Sequence, residues 1–136
     1  MKKIITNSSE ETKKLAENLA KQITRGVIAL SGDLGSGKTT FVQGFAKGLG
    51  IKDKIISPTF VLIKQYKNLY HVDLYRINTF DHLGLEEILS NRNNIVLIEW
   101  AEKLKKLPDG SIKINITKCS DQKRTITIEP TIPVWI

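Results

Sequence analysis

The sequence predicts an α/β fold, with a mixed central β-sheet flanked by helices. Three observations carry this expectation. The run Gly26-Val27-Ile28-Ala29-Leu30-Ser31 leads into the glycine-rich stretch Gly32-Asp33-Leu34-Gly35-Ser36-Gly37-Lys38-Thr39-Thr40, after which Phe41, Val42, Phe45 and Leu49 recur at helical spacing. A second unbroken apolar run, Ile95-Val96-Leu97-Ile98, ends on an acid, Glu99. Near the end of the chain, residues 112–116 and 125–128 alternate apolar and polar with period 2. Continuous apolar runs read as strands buried on both faces of a parallel sheet, and alternating ones as strands with one wet face.

The glycine-rich stretch fits G-x-x-x-x-G-K-[ST] from Gly32 through Thr39, and its strand–loop–helix context makes it a P-loop. The chemistry explains the pattern. Phosphate oxygens need several donors converging on a concave surface, and successive backbone N–H groups followed by a helix N-terminus supply them. Glycine at 32, 35 and 37 permits φ > 0 and close approach of backbone to ligand. Lys38 is expected on the β- and γ-phosphates and the Thr39 hydroxyl on Mg²⁺. Asp33, Gly35, Ser36, Gly37, Lys38, Thr39 and Thr40 are thus the candidate binding residues for a nucleoside triphosphate. A plain turn between strand and helix would not need these residue types at these offsets. The expected architecture is a P-loop NTPase fold filling residues 1–136 as one domain.

Composition agrees. With 136 residues, 40% hydrophobic and 26% charged, the chain has room for one real core and not for two ordinary domains. No apolar stretch of about 18 residues occurs, and the N-terminus lacks the apolar segment of a signal peptide, so no membrane association is expected. The single cysteine, Cys119, cannot form an internal disulfide and reads as a small buried or half-buried residue without chemistry. These features point to the cytoplasm. The formal charge of +7 suits an anionic ligand or nucleic acid, but the lysines are scattered and equally describe a solvated surface.

In order along the chain, Lys2 to Thr6 reads as a first strand. Ser8 and Glu11 form a capping box for a helix carrying Leu15, Leu19 and Ile23 in one stripe. The P-loop strand and helix follow, and Gly48 and Gly50 end that helix. Pro58 belongs at a strand entrance, Phe60 to Tyr66 and Leu69 to Tyr75 read as strands, and the short turn at Asn68 makes them an antiparallel hairpin. Asp81 to Leu89 is expected to be helical. Ala101 to Leu107 should form one or two helical turns, and Pro108-Asp109-Gly110 a turn. The tail after Pro130 reads as irregular.

A P-loop needs a second acid and a group to position the attacking water. Glu99, at the end of a buried strand, would face the Mg²⁺; the bland alternative is that it caps the following turn. Asp73 interrupts an apolar strand, where an unpaired acid is costly. It reads as a residue just behind the direct ligands of the metal, a general base, or an ion-pair partner of Arg76. His71 is more simply a packed strand histidine. Thr59, after Ser57-Pro58, suits a γ-phosphate sensor in a switch loop. Trp100 would stack on a base or partner, or else fill the core.

Taken together, the P-loop, Ser57-Pro58-Thr59-Phe60, His71-Val72-Asp73-Leu74-Tyr75-Arg76, Gly84-Leu85-Glu86-Glu87 and Ile98-Glu99-Trp100-Ala101-Glu102 resemble the TsaE (YjeE) family. The resemblance spans roughly residues 8–128. It implies a P-loop ATPase of tRNA threonylcarbamoyladenosine biosynthesis, binding ATP and Mg²⁺ and assembling with the TsaB–TsaD pair, which modifies adenosine 37 of tRNA. By match it places Lys38 and Thr39 on phosphate and metal and makes Glu99 the metal-facing acid. It puts Thr59 in a switch-like loop, Asp73 at the metal or water, and Trp100 by the nucleotide. Ser36 stands where the family pattern has alanine, and it is small enough for the loop. Two other readings compete. A small phosphotransferase (kinase) would need an arginine-bearing lid, and an RNA-binding module would need a recognisable RNA-recognition motif; neither is visible.

Overall fold

In the computed structural model, residues 1–33, 35–55, 63–75, 84–104 and 106–130 are described. The chain runs β1 (Lys2–Thr6), α1 (Ser9–Ala20), β2 (Gly26–Ser31), α2 (Lys38–Gly48), β3 (Ile63–Tyr66), β4 (Leu69–Asp73), α3 (Leu85–Ser90), β5 (Ile95–Glu99), a 3₁₀ turn at Ala101–Lys103, β6 (Ile112–Lys118) and β7 (Arg124–Glu129). Seven strands form one sheet in the order β1-β7-β6-β2-β5-β4-β3. The centre, β6-β2-β5-β4, is parallel, and both margins, β1-β7-β6 and β4-β3, are antiparallel. This is the mixed sheet flanked by helices that a P-loop NTPase fold requires.

The apolar runs land where their composition demands. Every residue of β5 is buried, as are Val27 to Leu30 in β2, because both strands are covered on two faces. On one face Ile28, Leu30, Leu97, Ile114, Ile116, Ile126 and Ile128 meet Leu15 and Leu19 of α1 and Phe41 and Phe45 of α2. On the other, Val27, Ala29, Val72, Val96 and Ile98 meet Leu85 of α3 and Ala101 of the 3₁₀ turn. The two major helices touch almost backbone to backbone: a Cβ on Gly44 would overlap the Lys13 main chain, and one on Gly48 the carbonyl of Glu17.

Ser8 caps α1, accepting from the Glu11 N–H at 3.1 Å. Glu11 reaches back to the N–H of Asn7 at 2.8 Å, one residue earlier than a standard capping box. Helix α1 stops at Ala20, so Ile23 lies past its end, though still buried. Two other boundaries differ from expectation. Strand β4 ends at Asp73 rather than Tyr75, because the Asp73 carboxylate accepts from the Tyr75 N–H at 3.0 Å and turns the chain. Helix α3 begins at Leu85, since Gly84 sits in the left-handed region at φ 73° as its N-cap. Cys119 is exposed rather than half-buried, at the β6–β7 turn. Among the described residues no helix is long and apolar enough to cross a membrane.

Candidate active site

The P-loop bridges the carboxyl end of β2 and the first turn of α2. Gly32, Gly35 and Gly37 have φ of 146°, 78° and 107°, which side chains with a Cβ rarely adopt. Gly32 has a second reason to lack a side chain: a Cβ there would overlap the Ile116 carbonyl and the Ser36 side chain. Ser36 is only 1% exposed, so the small residue expected at this position is packed beneath the loop. Gly37 is the N-cap of α2 and offers no side-chain cap. The helix therefore presents its first N–H groups, and the partial positive charge that goes with them, toward the loop. Thr39 and Thr40 follow, half-buried, in the first turn.

Lys38 is 6% exposed. Its ammonium donates to the carbonyls of Gly32 and Asp33, the latter at 3.0 Å, and lies 4.3 Å from the centroid of the Trp100 ring. Burial pushes its pKa below the ordinary lysine value, while Glu99, Glu102, Asp73 and Asp33 pull it back up. The charge is thus held by carbonyl dipoles, a ring face and nearby acids, with no direct carboxylate contact among the described residues.

The two acids come from adjacent strands. The β2–β5 register sets Glu99 opposite Leu30, one residue before the strand's end, and the β4–β5 register sets Asp73 opposite Glu99. Side chains two apart share a face, so Leu69, His71 and Asp73 lie on the same side as Ile95, Leu97 and Glu99, which is the side of α2. Asp73 is half-buried. Burial raises its carboxyl pKa; the Tyr75 N–H opposes this, Glu99 adds to it, and His71 and Lys38 oppose it.

Glu99 is 3% exposed, and its Oε2 meets Nε2 of fully buried His71 at 2.5 Å. The contact is a hydrogen bond with a neutral imidazole and an ion pair with a protonated one. Glu99 therefore does not serve as a cap for the following turn, and His71 is more than a packed strand residue. The other imidazole nitrogen, Nδ1, is buried without a hydrogen-bond partner among the described residues. Trp100 follows Glu99 in the left-handed region, at φ 61°. For a bulky residue this is a strained conformation, and it turns the indole under Lys38 and against Tyr75, with ring centroids 4.9 Å apart.

Lys38, Asp73, Glu99 and Trp100, expected from separate motifs, are thus brought to one rim. Thr59 and Arg76 lie outside the described residues. Two participants were not anticipated. The His71–Glu99 contact is a diagonal pair whose existence depends on the register of β4 against β5. Arg124, from the far end of the chain, donates to the carbonyl of Ser36 at 2.7 Å. For the first, the period-2 spacing of His71 and Asp73 was the available signal; for the second there was none.

The residues present fit a Mg²⁺-bound triphosphate. The glycine loop is shaped for backbone donors, one lysine stands at its mouth, and two carboxylates face it. Among the described residues no group of three or more His, Cys, Asp or Glu is arranged to hold an ion by itself.

Comparison with known proteins identifies the family. The sequence model of "Threonylcarbamoyl adenosine biosynthesis protein TsaE" matches residues 6–126. A tRNA threonylcarbamoyladenosine biosynthesis protein TsaE from Bacillus subtilis is 43% identical, covering 90% of this chain and 81% of its own. Its counterpart from Aquifex aeolicus is 39% identical, covering 94% and 96%. The crystal structure of Bacillus subtilis YdiB superposes with a TM-score of 0.79 at 41% identity, covering 93% of this chain and 83% of that one. With a family match over most of its length and a fold shared with that structure, the chain belongs to the TsaE family of tRNA threonylcarbamoyladenosine biosynthesis proteins.

Proposed function

We propose that the protein binds ATP with Mg²⁺, hydrolyses it slowly on its own and faster with a TsaB–TsaD partner, and so serves the modification of tRNA adenosine 37. The observation that carries this reading is the convergence of Lys38, Asp73 and Glu99 at the mouth of a left-handed glycine loop. The loop N–H groups and the start of α2 would hold the phosphates. Lys38 would leave the carbonyls of Gly32 and Asp33 for the β- and γ-phosphate oxygens, a stronger charge-assisted interaction. Thr39 and Glu99 would hold Mg²⁺, which when bound neutralises phosphate charge as it develops. His71 occupies one Glu99 oxygen and leaves the other for the ion, fixing its orientation. Asp73, whose pKa is raised by burial, would orient the attacking water and accept its proton more readily than an ordinary carboxylate. Thr59 would sense the γ-phosphate. The cytoplasm is the compartment that fits this role.

Tyr75 is exposed and packs against Trp100 at the rim, an apolar surface that a partner closing the site would cover. The test is release of labelled phosphate from ATP with Mg²⁺, with and without TsaB–TsaD, in the wild type and in Glu99→Gln. Glutamine keeps an acceptor for His71 and removes the charge. Turnover should rise on adding the partner. In the variant it should fall on the order of 100-fold while ATP affinity changes little. Wild-type turnover in Glu99→Gln with the partner present would remove Glu99 from the reaction. Transfer of phosphate to an acceptor instead of water would make the protein a kinase.

A further inference from the structure

We infer that Arg124 is a positioning residue of the phosphate cradle, holding the outer side of the P-loop so that the loop's N–H groups face the ligand. The inference rests on the nucleotide-binding reading above and adds a residue that no P-loop motif contains. Arg124 opens β7, where Ile128 and Ile126 point into the α1–α2 core with no exposure. Arg124 is the next residue on that face. At this position the interior ends and the P-loop begins, and the sequence changes from isoleucine to a cation. Its backbone is fixed on both sides, paired with Thr6 of β1 and Lys118 of β6.

The guanidinium uses both of its edges. Nη1 donates to the carbonyls of Ser120, Asp121 and Lys123 at 2.8, 3.1 and 3.1 Å, tying down the β6–β7 turn. Nε donates to the Ser36 carbonyl at 2.7 Å, and Nη2 reaches the Gly35 carbonyl at 3.5 Å. Among the described residues no carboxylate pairs with it. The guanidinium charge therefore stands directly behind the loop, held among the described residues by backbone carbonyls.

The geometry of the peptide unit gives this contact its consequence. Across a trans peptide the C=O and the following N–H point in opposite directions. A Ser36 carbonyl turned outward to Arg124 turns the Gly37 N–H away from Arg124. Gly37 is also the N-cap of α2. The same charge polarises that peptide and strengthens its donor. If the arginine only pinned the β6–β7 turn, the Nη1 contacts would suffice and the second edge would have no part to play.

The experiment compares wild type, Arg124→Gln and Arg124→Lys by calorimetric titration with ATP, tripolyphosphate and adenosine in Mg²⁺, alongside thermal unfolding. Arg124→Gln should weaken ATP and tripolyphosphate alike, by roughly tenfold or more, and leave adenosine unaffected. Arg124→Lys, which keeps the charge but loses the fork, should fall in between. A lower unfolding temperature with wild-type affinity for both phosphates would show that Arg124 pins the turn and nothing else, and would overturn the inference. If Arg124→Gln does not fold, amide exchange across residues 35–39 in Arg124→Lys decides. Faster exchange with severalfold weaker ATP binding supports the positioning role, and wild-type values of both overturn it. Failure of the folded wild type to bind ATP or tripolyphosphate would instead sink the nucleotide reading, and this inference with it.

Discussion

The body and the tip of α2 belong to one helix and follow opposite rules. In the body, Phe41, Val42 and Phe45 have no exposure, and Gly44 and Gly48 let α1 close against the backbone. Each group there is in the environment its chemistry prefers. At the tip, Lys38 is a nearly buried ammonium held by carbonyls, and the helix start at Gly37 has no side-chain cap. Glu99 and Asp73 face each other across β4 and β5, His71 Nδ1 lacks a partner among the described residues, and Trp100 is in a conformation that bulky residues avoid. The difference teaches where stability and function are divided. The body holds the fold together, and the tip carries unfavourable features that a bound anion and cation would relieve.

Phe45→Ala should break that division most visibly on the scaffold side. Removing a fully buried ring should cost about 3–5 kcal/mol of unfolding free energy in urea, with triphosphate affinity unchanged in whatever fraction remains folded. Lys38→Ala is the converse. It deletes a charge that burial disfavours, so the ligand-free protein should keep its stability to within about 1 kcal/mol. ATP affinity should fall roughly 100-fold, as expected on losing a charge-assisted contact to phosphate. Paired calorimetry and thermal unfolding read both quantities. If Lys38→Ala unfolds the protein while Phe45→Ala leaves it stable, the two ends of the helix have been assigned the wrong way round.

How much of this was legible in the sequence follows from the same division. Strands β2 and β5 were readable because burial on both faces leaves an unbroken apolar run, and the P-loop because its glycines, lysine and threonine have fixed offsets. Glu99 was readable because it follows such a run. The His71–Glu99 pair was not, since it depends on how β4 slides against β5, and a one-residue slip would have put the two on opposite faces. Arg124 was hidden by its offset of 88 positions from Ser36. The ends of β4 and α3 were misplaced for local reasons: an aspartate side chain that turns its own backbone, and a left-handed glycine that starts a helix later than the apolar spacing suggested. Candidate site residues contributed by short motifs were thus visible one at a time, and the contacts among them were not.

Asp73 gives the smallest effect and the sharpest comparison, because it acts on stability and chemistry with opposite sign. Burial raises its carboxyl pKa above the ordinary 3.8, so the folded state holds the proton more tightly than the unfolded chain does. Between 3.8 and the higher folded value the folded state binds more protons, and stability falls as pH rises through that window. At neutral pH the ionised carboxylate is therefore a cost, set by burial and by the neighbouring Glu99. In Asp73→Asn the side-chain amide cannot ionise, yet its carbonyl would still accept from the Tyr75 N–H, so the turn after β4 survives the change. The substitution should then stabilise the ligand-free protein at pH 7 by at most about 1 kcal/mol, given that the residue is only half-buried. The gain should vanish as the pH is lowered toward 3.8 and the wild-type carboxyl takes up its proton. Phosphate release from ATP should fall in the same variant, since an amide cannot accept a proton from water. Urea unfolding at neutral and acid pH, set beside turnover at neutral pH, reads both. A variant that loses stability at pH 7 would mean that the Asp73 carboxylate is paired favourably in the resting fold and belongs with the body of the helix, not with its tip.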